Sequence, residues 1–474
     1  MNKVFFSHSY FMRYDPKQWA TGSPYPPLAT IGAAALLREK GFSVSLFDTM
    51  FVDSPEELTP RLLAERPDFF VVYDDGFNYL TKMCLTNMRD AAYRMIQLAR
   101  RQGAIVIVSS SDSTDHYREY LERGADFILL GEGEQTLLDI VTAISDGKED
   151  YMQIPGLAFL QNGHAVRTAA RKVMKDLDSL PLPAWDLVDI PAYREIWLQH
   201  HGYFSLNIST TRGCPFKCNW CAKPIYGNRY NARSPQQVIR ELHYLKTHYA
   251  FDHIWMCDDI FGLKPGWVTE FADLVEQAGL QFKFKIQSRA DLLVQPDYVR
   301  ALARAGCDNS WMGAESGSQK ILDAMDKGTT IAQIAEATRL LREHHIRPGF
   351  FIQFGYPGET REDIDLTIRM INHLLPDELG ISVSYPLPGT VFYERVKADL
   401  GEKTNWTDSD ELRLMFRNTY PPAFYKQLHR YVHRTYGWHF ALRKLRLPSA
   451  ILNFAVAIVA RQKLKKLEKL GKLA

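Results

Sequence analysis

The chain has 474 residues, of which 46% are apolar and 24% are charged. This composition excludes intrinsic disorder and collagen-like or disulfide-dense scaffolds, and the length predicts two or three domains. Because 57 lysines and arginines nearly balance 55 acidic residues, the net charge of +2 gives no global argument for a nucleic-acid partner.

Residues 1–148 show five alternations of a short apolar run with an amphipathic stretch. This pattern predicts an α/β domain with a doubly wound parallel sheet, whose ligands bind at the carboxyl ends of the strands. The first strand is followed by Ser7-His8-Ser9-Tyr10 and not by a glycine-rich fingerprint, which disfavours NAD or FAD.

The rest of the chain divides into three further regions. Residues 149–200 have little periodicity and contain the proline-rich stretch 180–186, which is typical of an ordered connector. Residues 201–400 hold six more strand-helix pairs and predict a partial (β/α)6 barrel, with its chemistry at the carboxyl ends of the strands. Residues 401–474 read as a small helical C-terminal region.

The six cysteines are too few for a disulfide framework, and three of them share one loop. Residues 1–19 have neither a long apolar segment nor the cleavage site of a secretory signal. The longest strongly apolar run, 450–460, is half of the roughly 20 residues that a membrane-spanning helix needs. We therefore expect a cytoplasmic protein, with Cys84 and Cys307 as buried thiols.

The strongest chemical signal is the spacing C-x3-C-x2-C formed by Cys214, Cys218 and Cys221, directly after the first predicted barrel strand. Three thiolates on one loop favour a soft metal. A structural zinc site or a four-cysteine cluster needs a fourth ligand, and no nearby Cys/His pair offers one. Three cysteines leave one iron of a [4Fe-4S] cluster open for another ligand.

This motif resembles that of the radical S-adenosylmethionine (SAM) enzymes. The resemblance implies that the three cysteines hold a [4Fe-4S] cluster, whose open iron binds the methionine part of SAM. An electron donor such as a flavodoxin or ferredoxin would then drive formation of a 5′-deoxyadenosyl radical, which abstracts hydrogen from the substrate. The resemblance does not identify a catalytic residue.

The same resemblance assigns SAM contacts to segments that follow successive barrel strands. The aromatic Trp220 corresponds to the residue that lies against the adenine. The remaining expected SAM contacts are Asp258, Asp259, Glu315, Ser316, Gly355, Gly358 and Glu359.

A flavodoxin-like domain upstream of such a barrel resembles the cobalamin-binding subclass, which includes anaerobic magnesium-protoporphyrin monomethyl ester cyclases and radical methyltransferases. The cobalamin contacts that this implies are Ser110, Asp112, Gly131, Glu132 and Gly133. The chain departs from that subclass in its serine-rich segment 109–114, where many relatives carry glycines and a histidine. It also lacks D-x-H-x-x-G, so no motif histidine would bind cobalt. A vestigial domain without cofactor is the alternative.

We therefore predict a cobalamin-dependent radical SAM enzyme that functionalises an unactivated carbon of a small molecule, by methyl transfer. The alternatives are an oxidative cyclase or other C–H functionalising enzyme with a vestigial domain and, outside enzymes, a cobalamin or redox sensor. A methylthiotransferase would carry three further cluster cysteines, and only Cys84 precedes the motif. The sequence does not name the substrate.

Nine basic residues flank the apolar segment 451–459 in the C-terminal tail: Arg443, Lys444, Arg446, Arg461, Lys463, Lys465, Lys466, Lys469 and Lys472. A basic amphipathic terminus predicts peripheral contact with the inner face of a membrane, which would suit a hydrophobic substrate. A helix that caps the barrel is the alternative. His429 and His433 are expected on a helix surface, since two histidines without a third ligand make no metal site.

Overall fold

The computed structural model describes residues 2–77, 85–221, 225–403 and 405–471. The chain forms two compact units. The first comprises Met1–Pro215, Lys223–Asp259 and Thr407–Asp410, and the second comprises Phe216–Ala222, Ile260–Trp406 and Glu411–Ala474. The domain boundaries expected from sequence, at 148, 200 and 400, stay a prediction.

The strands of the described residues are β1 (Lys3–Ser7), β2 (Ser43–Phe47), β3 (Phe69–Tyr73), β4 (Ile105–Ser109), β5 (Phe127–Leu129), β6 (Leu157–Gln161), β7 (His164–Arg167), β8 (Ser205–Ile208), β9 (Thr211–Arg212), β10 (Asn231–Ala232), β11 (His253–Met256), β12 (Lys283–Ser288), β13 (Cys307–Glu315), β14 (Arg347–Phe354) and β15 (Glu378–Val383).

The α-helices are α1 (Pro16–Thr21), α2 (Leu28–Glu39), α3 (Leu58–Glu65), α4 (Thr86–Arg101), α5 (Ser111–Asp115), α6 (Tyr117–Glu122), α7 (Glu134–Ser145), α8 (Ile190–His201), α9 (Pro235–Tyr249), α10 (Trp267–Gln277), α11 (Ala290–Leu293), α12 (Pro296–Arg304), α13 (Gln319–Ala324), α14 (Ile331–Glu343), α15 (Arg361–Leu374), α16 (Val391–Val396), α17 (Pro422–Arg443) and α18 (Leu447–Gly471).

Seven strands of the first unit form one sheet in the order β2-β1-β3-β4-β5-β6-β7. Strands β1 to β5 are parallel, in the 2-1-3-4-5 order of flavodoxin-like folds. The central strand β3 reads FFVVY and is buried throughout, as expected for a strand covered by helices on both faces. The predicted doubly wound sheet is confirmed, and the strand order reverses between β1 and β3.

The antiparallel hairpin β6–β7 extends this sheet from β5 and lies in the stretch expected to be a connector. Its turn residues, Asn162 and Gly163, have φ of 52° and 77°. Two successive positive φ values define a type I′ turn, for which Asn-Gly is the favoured dipeptide. The Asn-Gly dipeptide was the sequence signal for this hairpin. The strands themselves gave no second signal, because the outer half of the hairpin is exposed and its buried and exposed residues do not alternate regularly.

The parallel strands of the predicted barrel divide between the two units. In the first unit, β8 pairs with β11, and the short strands β9 and β10 pair antiparallel just before and after the cysteine motif. In the second unit, β12, β13, β14 and β15 are neighbours in sequence order, all parallel. Two and four strands make up the six that the sequence predicts, and the partial barrel is confirmed as fold class.

The C-terminal region is helical, as predicted. Helices α17 and α18 pack against each other as a hairpin in the second unit. None of the helices in the described ranges combines the length and the apolar character needed to cross a membrane.

Candidate functional site

The cysteine motif begins at a glycine that the fold requires. Gly213 has φ of +80°, and a Cβ atom there would lie 2.3 Å from the carbonyl oxygen of Arg229. A side chain would therefore meet both an unfavourable backbone conformation and a backbone clash. The glycine lets the chain turn tightly from β9 into Cys214, which is buried.

Asn219, inside the motif, fastens the loop within the second unit. Its backbone N–H donates to the carbonyl oxygen of Met325 (3.1 Å), and its side-chain amide donates to Ala324 O and Asp326 Oδ2 (2.8 and 2.7 Å). The hydroxyl of Tyr356 donates to Asn219 Oδ1 at 2.8 Å. With its amide groups fully used, buried Asn219 fixes the positions of its neighbours in the motif, Cys218 and Trp220.

Arg289, which follows β12, brings a buried positive charge to Cys218. One guanidinium N–H points to Cys218 Sγ at 3.8 Å, and the guanidinium lies 3.6 Å from the centre of the Phe216 ring. Its other N–H groups donate to Asp291 and to the carbonyl oxygen of Lys327. A planar, permanently charged donor suits a thiolate, because the hydrogen bond and the charge both stabilise negative sulfur.

Lys327 and Glu315 form a buried ion pair beside the same loop. Their charged atoms are 2.8 Å apart, and the Lys327 ammonium lies 5.9 Å from the Trp220 ring centre. Burial alone would lower the pKa of Lys327, but attraction by Glu315 and Cys218 holds it above its ordinary value. Cys218, Trp220 and Glu315 are thus brought together by two cations.

The segment after β13 is shaped by its glycines and by Glu315, which has φ of +54°. Ser316 is fully buried, and its hydroxyl bonds to Thr367 Oγ1 at 3.1 Å. At Gly317, a Cβ atom would lie within 2.7 Å of the α15 backbone. Ser316 therefore closes this segment against α15.

The turn after β14 contains an unusual carboxyl group. The backbone N–H of Gly355 donates to Glu359 Oε2 at 2.7 Å, whereas Glu359 Oε1 is buried without a hydrogen-bond partner in the described structure. Burial raises the pKa of Glu359 to about 8. Glu359 therefore holds its proton at neutral pH, and Gly355 and Gly358 turn the chain with φ near +80°.

Asp258, which follows β11 in the first unit, is a buried carboxylate whose oxygens are already used. Oδ1 accepts backbone N–H groups of Thr210 and Thr211 at 2.7 and 2.8 Å, and Oδ2 accepts the Thr210 hydroxyl. Burial raises its pKa to about 6, although these hydrogen bonds oppose the shift. Asp258 thus holds the turn that leads into the motif, while its neighbour Asp259 is half-buried.

The residues expected to contact cobalamin lie at the carboxyl edge of the flavodoxin-like sheet. Ser110 caps the short helix α5, since its hydroxyl accepts the N–H of Ser113 at 2.8 Å. Asp112 pairs with Arg89 and accepts the hydroxyl of Tyr120 at 2.7 Å. Between these two residues, Ser111 has a buried hydroxyl without a partner in the described structure.

The Gly131-Glu132-Gly133-Glu134 segment is tied to the strand that precedes the cysteines. Both carboxylates pair with the buried guanidinium of Arg212, which is 2.7 Å from Glu134. A Cβ atom at Gly133 would lie 2.6 Å from the Ser109 hydroxyl oxygen and 2.9 Å from the Tyr73 hydroxyl oxygen, so a side chain there would have to displace these groups. Gly131 is different, because it is half-buried and a Cβ atom there would meet nothing closer than 3.7 Å. The Glu132 carboxylate therefore has an internal role, and the Gly131 N–H donates to Thr114 Oγ1 at 3.4 Å.

The residues present fit a [4Fe-4S] cluster and SAM by their chemistry. The three motif cysteines are thiols, and two cations stand beside Cys218 where a cluster would bring negative charge. The indole N–H of Trp220 is buried without a partner in the described structure. Within the described ranges, no three His, Cys, Asp or Glu side chains are close enough to hold a metal ion, so the grouping of the thiols rests on their spacing in sequence.

Sequence reasoning missed Asn219, Arg289 and Lys327 as parts of the site. Each makes at least one contact with a residue that is distant in the chain, and no local pattern marks that contact. The expected SAM and cobalamin contacts stay predictions. Cys307 is buried as predicted, whereas the prediction for Cys84 and the tail residue Lys472 lie outside the described residues.

A parallel-stranded barrel with a three-cysteine loop after its first strand defines the class of protein. The family model of the radical SAM superfamily matches residues 208–371. An uncharacterized methyltransferase of Pyrococcus horikoshii, PH0819, is 31% identical over 79% of this chain and 79% of its own length. The chain therefore belongs to the radical SAM superfamily, and it is an enzyme whose cofactors include a [4Fe-4S] cluster and SAM.

Two further similarities cover both predicted domains. The anaerobic magnesium-protoporphyrin IX monomethyl ester cyclase of Cereibacter sphaeroides is 26% identical over 79% of this chain and 60% of its own length. The radical SAM methyltransferase TsrM from Kitasatospora setae, solved with cobalamin and a [4Fe-4S] cluster bound, superposes with a TM-score of 0.70 at 21% identity. That match covers 84% of this chain and 78% of TsrM and supports the fold.

Proposed function

We propose that this enzyme is a cobalamin-dependent radical SAM methyltransferase that acts on an unactivated carbon of a small molecule. The observation that carries the proposal is the 31% identity to a protein named as a methyltransferase, across 79% of both chains. The flavodoxin-like sheet upstream of the cysteine motif supports it, because the 2-1-3-4-5 order offers a ligand site where the strand order reverses.

The described residues have defined tasks in this proposal. The three motif cysteines would hold the cluster, which together with SAM supplies radical chemistry when bound. Asn219 fixes the loop, Arg289 stabilises negative charge on Cys218, and Lys327 donates a hydrogen bond to Glu315. These residues position the site and keep its charges paired in a buried setting.

Cobalamin binding is supported by two features of the carboxyl edge, an unpartnered hydroxyl and open space beside a glycine. The buried Ser111 hydroxyl has no hydrogen-bond partner in the described structure and is available to a corrin amide or nucleotide tail. The space beside Gly131 leaves room for a ligand, since a Cβ atom there would meet nothing closer than 3.7 Å. The side chains of Ser110, Asp112 and Glu132 contribute indirectly, since they already hold α5, Arg89 and Arg212.

The decisive experiment uses anaerobically reconstituted protein with hydroxocobalamin, SAM and a low-potential reductant. We expect stoichiometric corrin after gel filtration and formation of S-adenosylhomocysteine that requires the corrin, because a transferred methyl group leaves that product. Cys218→Ala should lose iron and all SAM turnover. Cys307→Ala is the matched control and should retain both, since this buried thiol lies outside the motif.

A folded, cluster-loaded protein that binds no form of cobalamin would contradict the proposal. Formation of 5′-deoxyadenosine without S-adenosylhomocysteine would then favour the second candidate, a cyclase or other C–H functionalising enzyme. That alternative is supported by the 26% identity to the protoporphyrin ester cyclase. If Cys307→Ala also lost SAM turnover, the result would contradict the assignment of the cluster to the three motif cysteines alone.

The remaining partners are also proposals. A flavodoxin or ferredoxin would supply the electron, and no nucleic acid is expected as substrate. We further propose that the enzyme works in the cytoplasm, where thiols stay reduced, and touches the inner face of the membrane through its C-terminal region.

A further inference from the structure

A basic groove lies between the two C-terminal helices. It has a volume of about 400 Å³, and its walls come from α17 on one side and α18 on the other. Arg430, Arg434 and Lys463 line it together with His429 and His433, whose rings are 4.4 Å apart. The Arg434 guanidinium donates to Asn453 at 3.1 Å, which fixes one wall.

The charge around this groove is almost entirely positive. Residues 422–471 contain eleven lysines and arginines and a single acidic residue, Glu468. That carboxylate is used, because it pairs with Arg361 and is only 19% exposed. Arg430, Arg434 and Lys463 are exposed and have no carboxylate partner in the described part of the chain. The groove therefore suits an anion, for which arginine is a bidentate donor.

A wide apolar face lies beside the groove. Helix α18 buries Ala457, Ala460 and Leu464, so the face of the helix toward α17 is covered. The opposite face leaves large apolar side chains in solvent, with Ile451 at 69% and Leu452 at 62% exposed. Exposed apolar patches of this extent mark interaction sites in proteins.

The groove and the apolar face are continuous. Val459 lines the groove and is itself 52% exposed, so it belongs to both surfaces. At 100° per residue, Ile451 and Ile458 share one line on the exposed face, about 80–100° around the helix from Val459. Lys465 and Lys469 continue this line about two and three turns beyond Ile458. The same side of α18 is therefore apolar in its first half and basic in its second half.

We propose that this hairpin is a binding site for anionic phospholipid in a bilayer. The phosphate of a lipid headgroup enters the groove, and the exposed side chains of the first half of α18 insert among the upper acyl chains. Charge complementarity selects this occupant, since a neutral protein surface would leave the basic groove unpaired. The site rests on the peripheral contact proposed above and is independent of cobalamin and of methyl transfer.

The test is flotation of the reconstituted full-length enzyme with vesicles of phosphatidylcholine alone or with about 30% phosphatidylglycerol. We expect binding to the anionic vesicles only, weakening as salt is raised, because exposed charges are screened. Arg430→Glu/Lys463→Glu should lower the affinity at least tenfold, because it reverses two groove charges. Ile451→Gln/Ile458→Gln should lower it by a similar factor at unchanged charge.

Matched controls separate the surface from general effects. Lys148→Glu/Arg300→Glu makes the same change of net charge at exposed sites elsewhere, and Leu63→Gln/Leu160→Gln makes the same apolar change. Both should bind like the wild-type chain. Helical content and SAM cleavage should stay normal in all variants, which distinguishes this test from that of the enzymatic proposal.

Three results would overturn the inference. These are no binding of the wild-type chain to anionic vesicles, equal binding to neutral and anionic vesicles, and equal losses in the groove variant and its control. Concentration-dependent dimerisation that Ile451→Gln/Ile458→Gln abolishes, without vesicle binding, would assign the face to a second copy of the chain instead.

Discussion

At the scale of single residues, Arg289 is the group whose substitution should change the cluster without removing a ligand. Its N–H points to Cys218 Sγ, and hydrogen bonds and positive charge at a ligating sulfur favour the reduced cluster. Arg289→Lys cannot keep both this contact and the planar stacking on Phe216. We expect normal iron content and a midpoint potential lower by about 60 mV, which corresponds to a tenfold change for one electron.

The measurement is a redox titration followed by electron paramagnetic resonance. Arg300→Lys, on the exposed face of α12, is the control and should leave the potential unchanged. An unchanged potential in Arg289→Lys would show that the guanidinium serves only to hold Asp291 and the backbone of Lys327.

Glu359 should make stability depend on pH. The pKa of this buried group is about 8 against an ordinary value of 4.5, so the folded chain keeps a proton that the unfolded chain releases. Stability therefore falls as pH rises from about 4.5 to 8. Glu359→Gln keeps an acceptor for the Gly355 N–H but does not titrate. The wild-type chain loses about 3 kcal/mol of unfolding free energy between pH 6 and 8.5, because about two pH units of that interval lie below the pKa of Glu359. The Glu359→Gln variant lacks this loss, so its stability relative to wild type should rise by about the same amount.

Thermal unfolding at the two pH values measures this difference. Glu362→Gln is the control, since its carboxylate is exposed in the first turn of α15 and should change stability equally at both pH values. A gain in Glu359→Gln that does not change with pH would mean that this carboxyl group is ionised in the folded chain.

At the scale of elements, the Arg212 cluster joins the end of β5 to β9. The guanidinium is 11% exposed and pairs with both Glu132 and Glu134. Burial alone would lower the pKa of Arg212, but the negative charges around it hold the pKa well above its ordinary range. Arg212→Met leaves two buried carboxylates without a cation and should cost about 3–5 kcal/mol of unfolding free energy.

Urea denaturation measures that cost. The triple variant Arg212→Met/Glu132→Gln/Glu134→Gln removes all three charges and should recover most of the lost stability, because amides can be buried at lower cost than carboxylates. If the triple variant is as unstable as Arg212→Met, the loss comes from packing and not from uncompensated charge.

The elements also show what a sequence can and cannot reveal. The strand alternation and the spacing of Cys214, Cys218 and Cys221 are local patterns, and both led to the right fold class. The roles of Asn219 and Arg289 depend on strand ends that meet only after folding. Asp258 illustrates the same limit, because an acid after a strand has the same sequence pattern whether it faces a cofactor or accepts the N–H groups of Thr210 and Thr211.

At the scale of the whole molecule, the net charge conceals a strong separation of charge along the chain. The sequence sums to +2, whereas residues 422–471 alone carry +10, so the remaining residues carry −8. A molecule with this distribution responds to charged surfaces through its basic region and not through its net charge. A protein whose net charge is close to zero can therefore still bind an anionic partner through this one basic region.

The separation of charge should be measurable without lipid. At pH 7 and low ionic strength, the near-neutral full-length enzyme should be retained on a sulfopropyl resin, because the groove and the basic half of α18 face solvent together. Arg430→Glu/Lys463→Glu should elute at clearly lower salt than Lys148→Glu/Arg300→Glu, although the two variants have the same net charge. Coincident elution of the two variants would mean that retention follows net charge. The local concentration of basic residues in the C-terminal region would then have no separate effect on retention.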